Sequence, residues 1–328
     1  MLNKKALYFF SNRVLLIYLL LFNLENTIFI TYYDYYEENK KFYNKLSNNL
    51  ILIKNYEMNN ILKKRIFKLV RKYILRILYF RNDEIKKLMK EDINIYGQDH
   101  STLGKILVKK TNFFLIEDGL INYKDFKEMF LKKILKNLLG VTRIYGREKK
   151  VKKIYLTGLA PIPKEIKNKV EIIDLKKLWK LKTEEEQQNI LEIFGFNNNL
   201  IKKLKEKNII LFTQPLSEDG ILNEQEKIEL YSKIILKYPK EKLIIKTHPR
   251  EKTNYSKVFN EIYILEQNFP AEIFKLLEIS FKKGVTLFST AVLTNNCKEI
   301  DFYGTEVHPK LLKKFGSMDH IMKRNKFL

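Results

Sequence analysis

Short apolar runs alternate with longer amphipathic stretches along almost the whole chain. The short runs are rich in β-branched and aromatic residues, which predicts strands, and the stretches between them have helical spacing. This alternation is typical of a parallel β-sheet covered by helices, so the sequence predicts an α/β protein. The predicted strands are Ala6–Phe10, Thr27–Tyr33, Leu50–Ile53, Ile93–Gly97, Phe113–Gly119, Lys153–Gly158, Ile209–Gln214, Lys242–His248, Ile262–Leu265 and Val285–Thr290.

The length of 328 residues predicts two domains of ordinary size, with any ligand in the cleft between them. The segments GREKK and APIPKE interrupt the alternation with glycine, proline and charge, so we place the boundary there. The predicted domains are residues 1–155 and 156–310, and residues 311–328 are expected to cross back to the first domain.

The N-terminal stretch KKALYFFSNRVLLIYLLLFN contains two apolar runs separated by Ser11, Asn12 and Arg13. Neither run reaches the roughly 20 residues that a membrane-spanning helix needs. We therefore interpret the stretch as a strand, a polar turn and a helix, with a membrane anchor as the alternative. Cys297 is the single cysteine, so no disulfide framework is possible and a cytoplasmic protein is expected.

The chain has 62 Lys and Arg against 38 Asp and Glu, a formal charge of +24. Such an excess attracts nucleic acid, an anionic membrane surface or phosphorylated glycans, and it also follows from a lysine-rich composition alone. A predicted helix at Ile61–Phe80 carries many cations and no acid. Its expected packing face is Leu62, Ile66, Leu69, Val70, Tyr73 and Ile77. The opposite face suits an anionic membrane surface or simply water.

Two acidic motifs follow predicted strands. In FFLIEDG, Glu117, Asp118 and Gly119 come directly after an apolar run, and IILFTQPLSEDG ends with Glu218 and Asp219 before Gly220. Parallel α/β sheets bind ligands outside the carboxyl ends of their strands, so an acid there is a candidate general base. Asp followed by Gly is also ordinary turn chemistry, and this alternative stays open for both motifs.

A third motif, LIIKTHPRE, brings His248 to a strand end between Lys246 and Arg250. A phosphate dianion would favour the protonated imidazole, so His248 is a candidate phosphate ligand and proton donor. The alternative is a loop histidine without a catalytic role.

A fourth motif, VTLFSTAVL, places Ser289 and Thr290 where a strand gives way to a helix. Hydroxyl and backbone N–H groups at such a point can bind an anion, or they can simply cap the helix. The histidines His100, His248, His308 and His320 are too widely spaced for a metal motif of the HExxH kind, so no metal is expected.

These motifs in this order resemble those of bacterial sialyltransferases. LFTQPLSED together with IKTHPRE is similar to the lipooligosaccharide sialyltransferase family, glycosyltransferase family 52. The resemblance implies a GT-B-like fold, with two Rossmann-type domains facing a cleft and CMP-sialic acid held mainly by the second. CMP-sialic acid would be the donor substrate, and no cofactor is implied.

The resemblance also implies roles for individual residues. His248 would be the acid that assists CMP departure, and Asp219 is preferred over Asp118 as the base, with Glu218 a further alternative. The expected substrate-binding residues are Lys246, Thr247, Pro249, Arg250, Leu265, Glu266, Ser289, Thr290, Glu117 and Gly119.

The implied reaction is an inverting, metal-independent transfer of sialic acid to a terminal galactose of lipooligosaccharide. The expected partners are CMP-sialic acid, that acceptor, an anionic membrane surface at the inner face of the inner membrane, and a second subunit. Alternatives are another GT-B nucleotide-sugar transferase, such as a polysialyltransferase-like enzyme, and a basic nucleic-acid-binding module. The last is disfavoured because the aromatic residues lie in apolar runs that predict core positions.

Overall fold

The computed structural model describes residues 4–40, 43–56, 68–124, 142–248, 250–265, 269–289, 291–294 and 297–317. It divides into two compact units, Met1–Ile193 and Phe194–Leu328. The division falls later than the predicted boundary after residue 155. The reason is that the strands Val151–Leu156 and Val170–Ile172 pair within the first sheet, so the Gly- and Pro-containing interruptions are loops of the first unit.

The first unit contains a seven-stranded parallel sheet in the order β3-β2-β1-β4-β5-β6-β7. Its strands are β1 Lys5–Tyr8, β2 Thr27–Tyr32, β3 Leu50–Ile53, β4 Asn94–Gly97, β5 Asn112–Ile116, β6 Val151–Leu156 and β7 Val170–Ile172. Its helices are α1 Asn12–Leu21, α2 Tyr33–Asn39, α3 Lys68–Arg81, α4 Asp83–Lys90, α5 Thr102–Lys110, α6 Leu175–Leu181 and α7 Glu184–Ile193. The central strands are buried on both faces, which explains their continuous apolar runs.

Helix α1 confirms the interpretation of the N-terminal stretch. Ser11 occupies the extended N-cap position, and Val14 to Leu20 are buried without interruption. A helix that is apolar all round belongs in a core, and here it packs beside the first sheet. Within the described residues, no helix is both long and apolar enough to cross a membrane.

Helix α3 corrects part of the predicted basic helix. Residues 57–67 lie outside the described residues, and the helix ends at Arg81. In its described C-terminal half, Leu75 and Tyr79 are buried, whereas Ile77, expected on the packing face, is 52% exposed. The packing face is therefore rotated from the predicted one.

The second unit contains a five-stranded parallel sheet in the order β10-β9-β8-β11-β12. Its strands are β8 Ile209–Phe212, β9 Leu243–Lys246, β10 Tyr263–Leu265, β11 Phe281–Thr286 and β12 Cys297–Phe302. Its helices are α8 Asn198–Glu206, α9 Glu224–Ile235, α10 Tyr255–Val258, α11 Glu272–Leu276, α12 Ala291–Thr294 and α13 Pro309–Phe315. Leu311 of α13 is buried in the core of this unit. Residues 318–328 lie outside the described residues, so the crossing of the C-terminal segment stays a prediction.

All the predicted strands are present, although the last, predicted at Val285–Thr290, lies at Phe281–Thr286, and the α/β class is confirmed. Their polar ends are loops: β5 ends at Ile116, before the Glu-Asp-Gly motif. The strands β7 and β12 were not predicted, because they are partly exposed edge strands with charged residues among the apolar ones.

Each sheet reverses its strand order at one point, between β1 and β4 in the first unit and between β8 and β11 in the second. A glutamine side chain bridges each reversal. Gln98 Oε1 accepts the Phe10 N–H at 2.9 Å, and Gln214 Oε1 accepts the Phe288 N–H at 3.2 Å. Ligands bind at the carboxyl edge beside such reversals in open α/β sheets, and the predicted motifs follow strands of these edges.

Candidate functional site

Glu117 is a buried anchor of the first unit rather than an exposed ligand. Its side chain is fully buried and forms an ion pair with Arg13 of α1. Tyr123 Oη donates to its carboxylate at 2.5 Å, and Thr157 contributes both its N–H and its hydroxyl. These contacts satisfy both carboxylate oxygens and tie β5 to β6 and α1.

Asp118, the next residue, is directed differently. Its N–H donates to Asn122 Oδ1 at 2.9 Å, which fixes the turn, and 21% of its side chain is exposed. Its Oδ2 lies 3.8 Å from His100 Nε2. The His100 ring stacks on Tyr145 at 5.4 Å between centroids and meets the edge of Phe10 at 5.1 Å. Asp118 therefore belongs to a partly exposed cluster of an acid, an imidazole and aromatic rings.

Gly119 is required for its backbone conformation. Its φ of +134° is one that side-chain-bearing residues rarely adopt, and a Cβ placed there would meet nothing within 4 Å. The space beside the Gly119 backbone is therefore open, and its predicted part in substrate binding stays a prediction.

Sequence reasoning missed the loop after β4, which supplies His100 and its support. Asp99 is fully buried and accepts the N–H groups of Tyr145 and Gly146 at 2.8 and 2.7 Å. Burial raises the pKa of Asp99 to about 6, and these two hydrogen bonds oppose the rise. The available signal was the run of polar residues Gln98, Asp99 and His100 directly after a predicted strand.

In the second unit, His248 follows β9 with a defined hydrogen-bonding direction. Its Nδ1 accepts the Arg250 N–H at 3.1 Å, so in the neutral ring the proton resides on Nε2. Burial lowers the pKa of His248, and the nearby cations Arg250 and Lys246 lower it further. At neutral pH the ring therefore offers an Nε2–H donor, and an incoming anion would favour its protonation.

Lys246 lies beside this turn. Its ammonium donates to Thr247 O at 3.0 Å and lies 5.0 Å from the centroid of the Phe269 ring. Burial lowers the pKa of Lys246 to about 8, although the negative charge of Glu251 partly opposes this. Lys246 and His248 thus place two groups that favour an anion at the carboxyl edge of the second sheet.

Asp219 and Arg250 form an ion pair with each other. Arg250 donates from Nη1 and Nη2 to the two oxygens of Asp219 at 2.5 and 3.1 Å, and this bidentate ion pair is partly exposed. Both oxygens of the preferred base candidate are therefore already engaged. Glu218, the other acid of the motif, accepts hydrogen bonds from Lys227 and from the Lys252 N–H.

The Ser289 segment has the geometry of a helix cap. Ser289 Oγ accepts the Ala291 N–H at 3.3 Å, and the Ser289 N–H donates to Thr286 Oγ1 at 2.9 Å. The following helix α12 has only four residues. Among the other expected ligands, Leu265 is fully buried, and Pro249, Glu266 and Thr290 lie outside the described residues.

Among the described residues, no group of three or more His, Cys, Asp or Glu side chains is arranged to hold a metal ion. The first unit brings together Glu117, Asp118 and Gly119. The second brings together Lys246, Thr247, His248, Arg250 and Asp219.

The sequence of residues 25–311 matches the family described as Glycosyltransferase family 52. The chain belongs to this family. The match confirms the resemblance drawn from the strand-end motifs, and the protein is therefore a glycosyltransferase. An uncharacterized protein of Haemophilus influenzae is 46% identical to this family 52 enzyme over 237 residues, 72% of this chain and 76% of that one.

Solved bacterial sialyltransferases share the fold of the family 52 enzyme. A 2,6-sialyltransferase of Photobacterium sp. JT-ISH-224, solved with CMP and lactose, has a TM-score of 0.57 at 12% identity, covering 97% of this chain and 74% of that one. The α/β-galactoside α-2,3-sialyltransferase of Photobacterium phosphoreum has a TM-score of 0.52 at 12% identity, covering 94% of both chains. At such identity the likeness concerns the fold alone, and it confirms the predicted GT-B-like fold class.

Proposed function

We propose that the enzyme transfers sialic acid from CMP-sialic acid to a terminal galactose of lipooligosaccharide, with inversion and without a metal ion. The observation that carries this proposal is the turn after β9, where His248 presents an Nε2–H donor beside Lys246. Membership of family 52 supports glycosyl transfer as the reaction, and the Lys246 and His248 side chains at this turn are suited to binding a departing phosphate.

The second unit accordingly binds the donor. CMP leaves as a phosphate that gains charge, and the Lys246 ammonium and the His248 imidazole stabilise that charge. His248 donates a hydrogen bond from Nε2–H to the phosphate as the bond to the sialyl carbon breaks, and the phosphate leaves with the bonding electron pair. Arg250 adds a further positive charge when it turns from Asp219 to the phosphate, which an exposed ion pair permits at little cost.

The first unit supplies the base in this proposal. Asp118 takes the proton of the acceptor hydroxyl as its oxygen attacks the anomeric carbon, and general-base help of this kind is worth roughly 10²- to 10⁴-fold. We prefer Asp118 to Asp219, which sequence reasoning placed first, because Arg250 engages both oxygens of Asp219 whereas Asp118 is partly exposed beside His100.

The choice of donor and acceptor has independent support. A sialyltransferase of the same fold was solved with CMP and lactose, and lactose ends in galactose. Inversion follows from a single direct displacement by the acceptor oxygen.

The decisive assay measures transfer from CMP-sialic acid to a lactose-type acceptor in EDTA, together with the thermal shift produced by CMP, UDP and GDP. We expect transfer to persist in EDTA, CMP alone to stabilise the protein, and His248→Ala to abolish most of the activity. Stabilisation by UDP or GDP instead of CMP would assign a different nucleotide sugar. No transfer together with no CMP shift would refute the proposal.

We further propose that helix α3 binds an anionic membrane surface, where lipid-linked acceptors are found. Ile74, Ile77 and Phe80 are exposed at helical spacing and Arg81 is exposed beside them, a pattern suited to anionic headgroups. We expect Ile77→Ser with Phe80→Ser to reduce sedimentation with phosphatidylglycerol vesicles. Equal sedimentation of variant and parent would exclude this surface.

A further inference from the structure

We infer that buried Lys227, through Glu251 and Glu218, positions the His248 turn for catalysis. The inference rests on the proposed function in one respect, the role of His248 at the leaving phosphate. Glu251 and Glu218 accept backbone N–H groups of the turn, and Lys227 contacts both glutamates, so we assign all three as positioning residues.

Lys227 is an unusual residue for a core. It lies in the first turn of α9, whose start is fixed by a capping box between Asn223 and Glu226, and its side chain is fully buried. Its ammonium lies 3.0 Å from Glu218 Oε2, 3.5 Å from Glu224 Oε2 and 3.8 Å from Glu251 Oε1. Because an unpaired buried ammonium is costly, these carboxylates stabilise the placement of Lys227, and two of them, Glu218 and Glu251, also contact the His248 turn.

Glu251 holds the N-terminal end of the turn. Its side chain is 1% exposed, and its Oε2 accepts the His248 N–H at 2.7 Å. The same oxygen accepts the Thr213 hydroxyl, and its Oε1 accepts Tyr255 Oη at 2.7 Å. Since Thr213 follows β8, Glu251 fixes the His248 backbone relative to the neighbouring strand.

Glu218 holds the other end. Its Oε1 accepts the Lys252 N–H at 2.6 Å, while both of its oxygens contact the Lys227 ammonium. Burial alone would raise the pKa of Glu218, but these hydrogen bonds outweigh burial and the pKa is lowered. The buried Lys227 ammonium thus pairs with two carboxylates that accept hydrogen bonds from the turn. Glu251 accepts the His248 N–H, and Glu218 accepts the Lys252 N–H.

The consequence is a fixed direction for the His248 ring. Its Nδ1 is already held by the Arg250 N–H within the same turn, so fixing both ends of the turn also fixes where Nε2 points. A misplacement of about 1 Å at a reacting group costs up to about 10²-fold in rate. A loosened turn should therefore lower kcat more than it changes KM.

The test is a double-mutant cycle with Glu251→Gln, which keeps the shape and removes the charge, and His248→Ala. The matched control is Glu229→Gln, an exposed glutamate on α9. We expect Glu251→Gln to lower kcat by about 10- to 10²-fold in the parent and by less than about twofold in the His248→Ala background. Losses of equal size in both backgrounds would show a general structural role and overturn the inference.

Amide hydrogen exchange gives a readout that does not depend on catalysis. We expect Glu251→Gln to accelerate exchange at the His248 N–H, and Glu229→Gln to leave it unchanged. Unchanged exchange at His248 in Glu251→Gln would overturn the inference.

The two proposals fail in different ways. Full activity of His248→Ala would refute the role of His248, while the exchange experiment would still decide whether the turn is held. Should Glu251→Gln melt below the assay temperature, Thr213→Val, which removes one hydroxyl donor to Glu251, replaces it in the same cycle with the same criteria.

Discussion

The two units contain the same tripeptide, Glu-Asp-Gly, after a strand of their parallel sheets, and the glutamates behave alike. Glu117 pairs with Arg13 in the first unit, and Glu218 pairs with the fully buried Lys227 in the second. In each case a cation from a helix neutralises a carboxylate beside the sheet. The first acid of each motif is therefore part of the scaffold.

The aspartates differ. Asp118 lies 3.8 Å from the His100 imidazole, whereas Asp219 accepts two hydrogen bonds from Arg250. The glycines differ as well, since φ is +134° at Gly119 and +66° at Gly220, whose N–H closes a turn onto Ser217 O. The comparison shows that the residues facing an acidic strand-end motif decide which chemical role its carboxylates can take.

The largest expected effect separates the two aspartates. Asp118→Asn should lower kcat for sialyl transfer by about 10²- to 10⁴-fold because it removes the proposed base. Asp219→Asn should cost less than about tenfold, since that side chain is occupied by Arg250. Steady-state kinetics with a lactose-type acceptor measure both, and the reverse order would return the role of base to Asp219.

The next effect tests the scaffold role of the two glutamates through their cations. Arg13→Met and Lys227→Met each leave a buried carboxylate unpaired, which typically costs about 3–5 kcal/mol in the free energy of unfolding. Urea unfolding measures the loss, with Arg81→Met and Lys233→Met, both at exposed positions, as controls. A loss no larger than that of the controls would contradict the scaffold role.

A smaller effect is expected at Arg250. Its ion pair with Asp219 is partly exposed, so Arg250→Ala should change the free energy of unfolding by less than about 1 kcal/mol. The same change should weaken CMP binding by roughly tenfold or more, because it removes the charged hydrogen bond that Arg250 is proposed to make to the phosphate. Calorimetric titration with CMP gives the affinity, and unaltered affinity would keep Arg250 as a partner of Asp219 alone.

The smallest effect is a dependence on pH. In the proposed function the protonated form of Lys246 binds the phosphate, and the pKa of Lys246 is about 8, so CMP affinity should fall as pH rises through this value. For one proton of this pKa the expected loss is at most roughly fourfold between pH 7 and pH 8.5. Lys246→Gln, titrated in parallel, should lose this dependence. A parent affinity that stays constant over the range would show that Lys246 does not contact the phosphate.

Much of this organisation is legible in the sequence. The alternation of apolar and amphipathic segments predicted the parallel sheets, because a strand that is buried on both faces needs a continuous apolar run. The motifs at strand ends were found for the same reason, since polar residues directly after such a run emerge at the carboxyl edge. The edge strands β7 and β12 were missed because exposed strands carry no such run.

Tertiary contacts decided the rest. The partners of the acids come from distant segments: Arg13 lies 104 positions from Glu117, and Arg250 lies 31 positions from Asp219. Local patterns encode which residues emerge at the edge of a sheet, because burial and backbone geometry repeat over short distances. Which carboxylate is neutralised and which stays exposed depends on long-range packing, and only the folded chain brings those charges together.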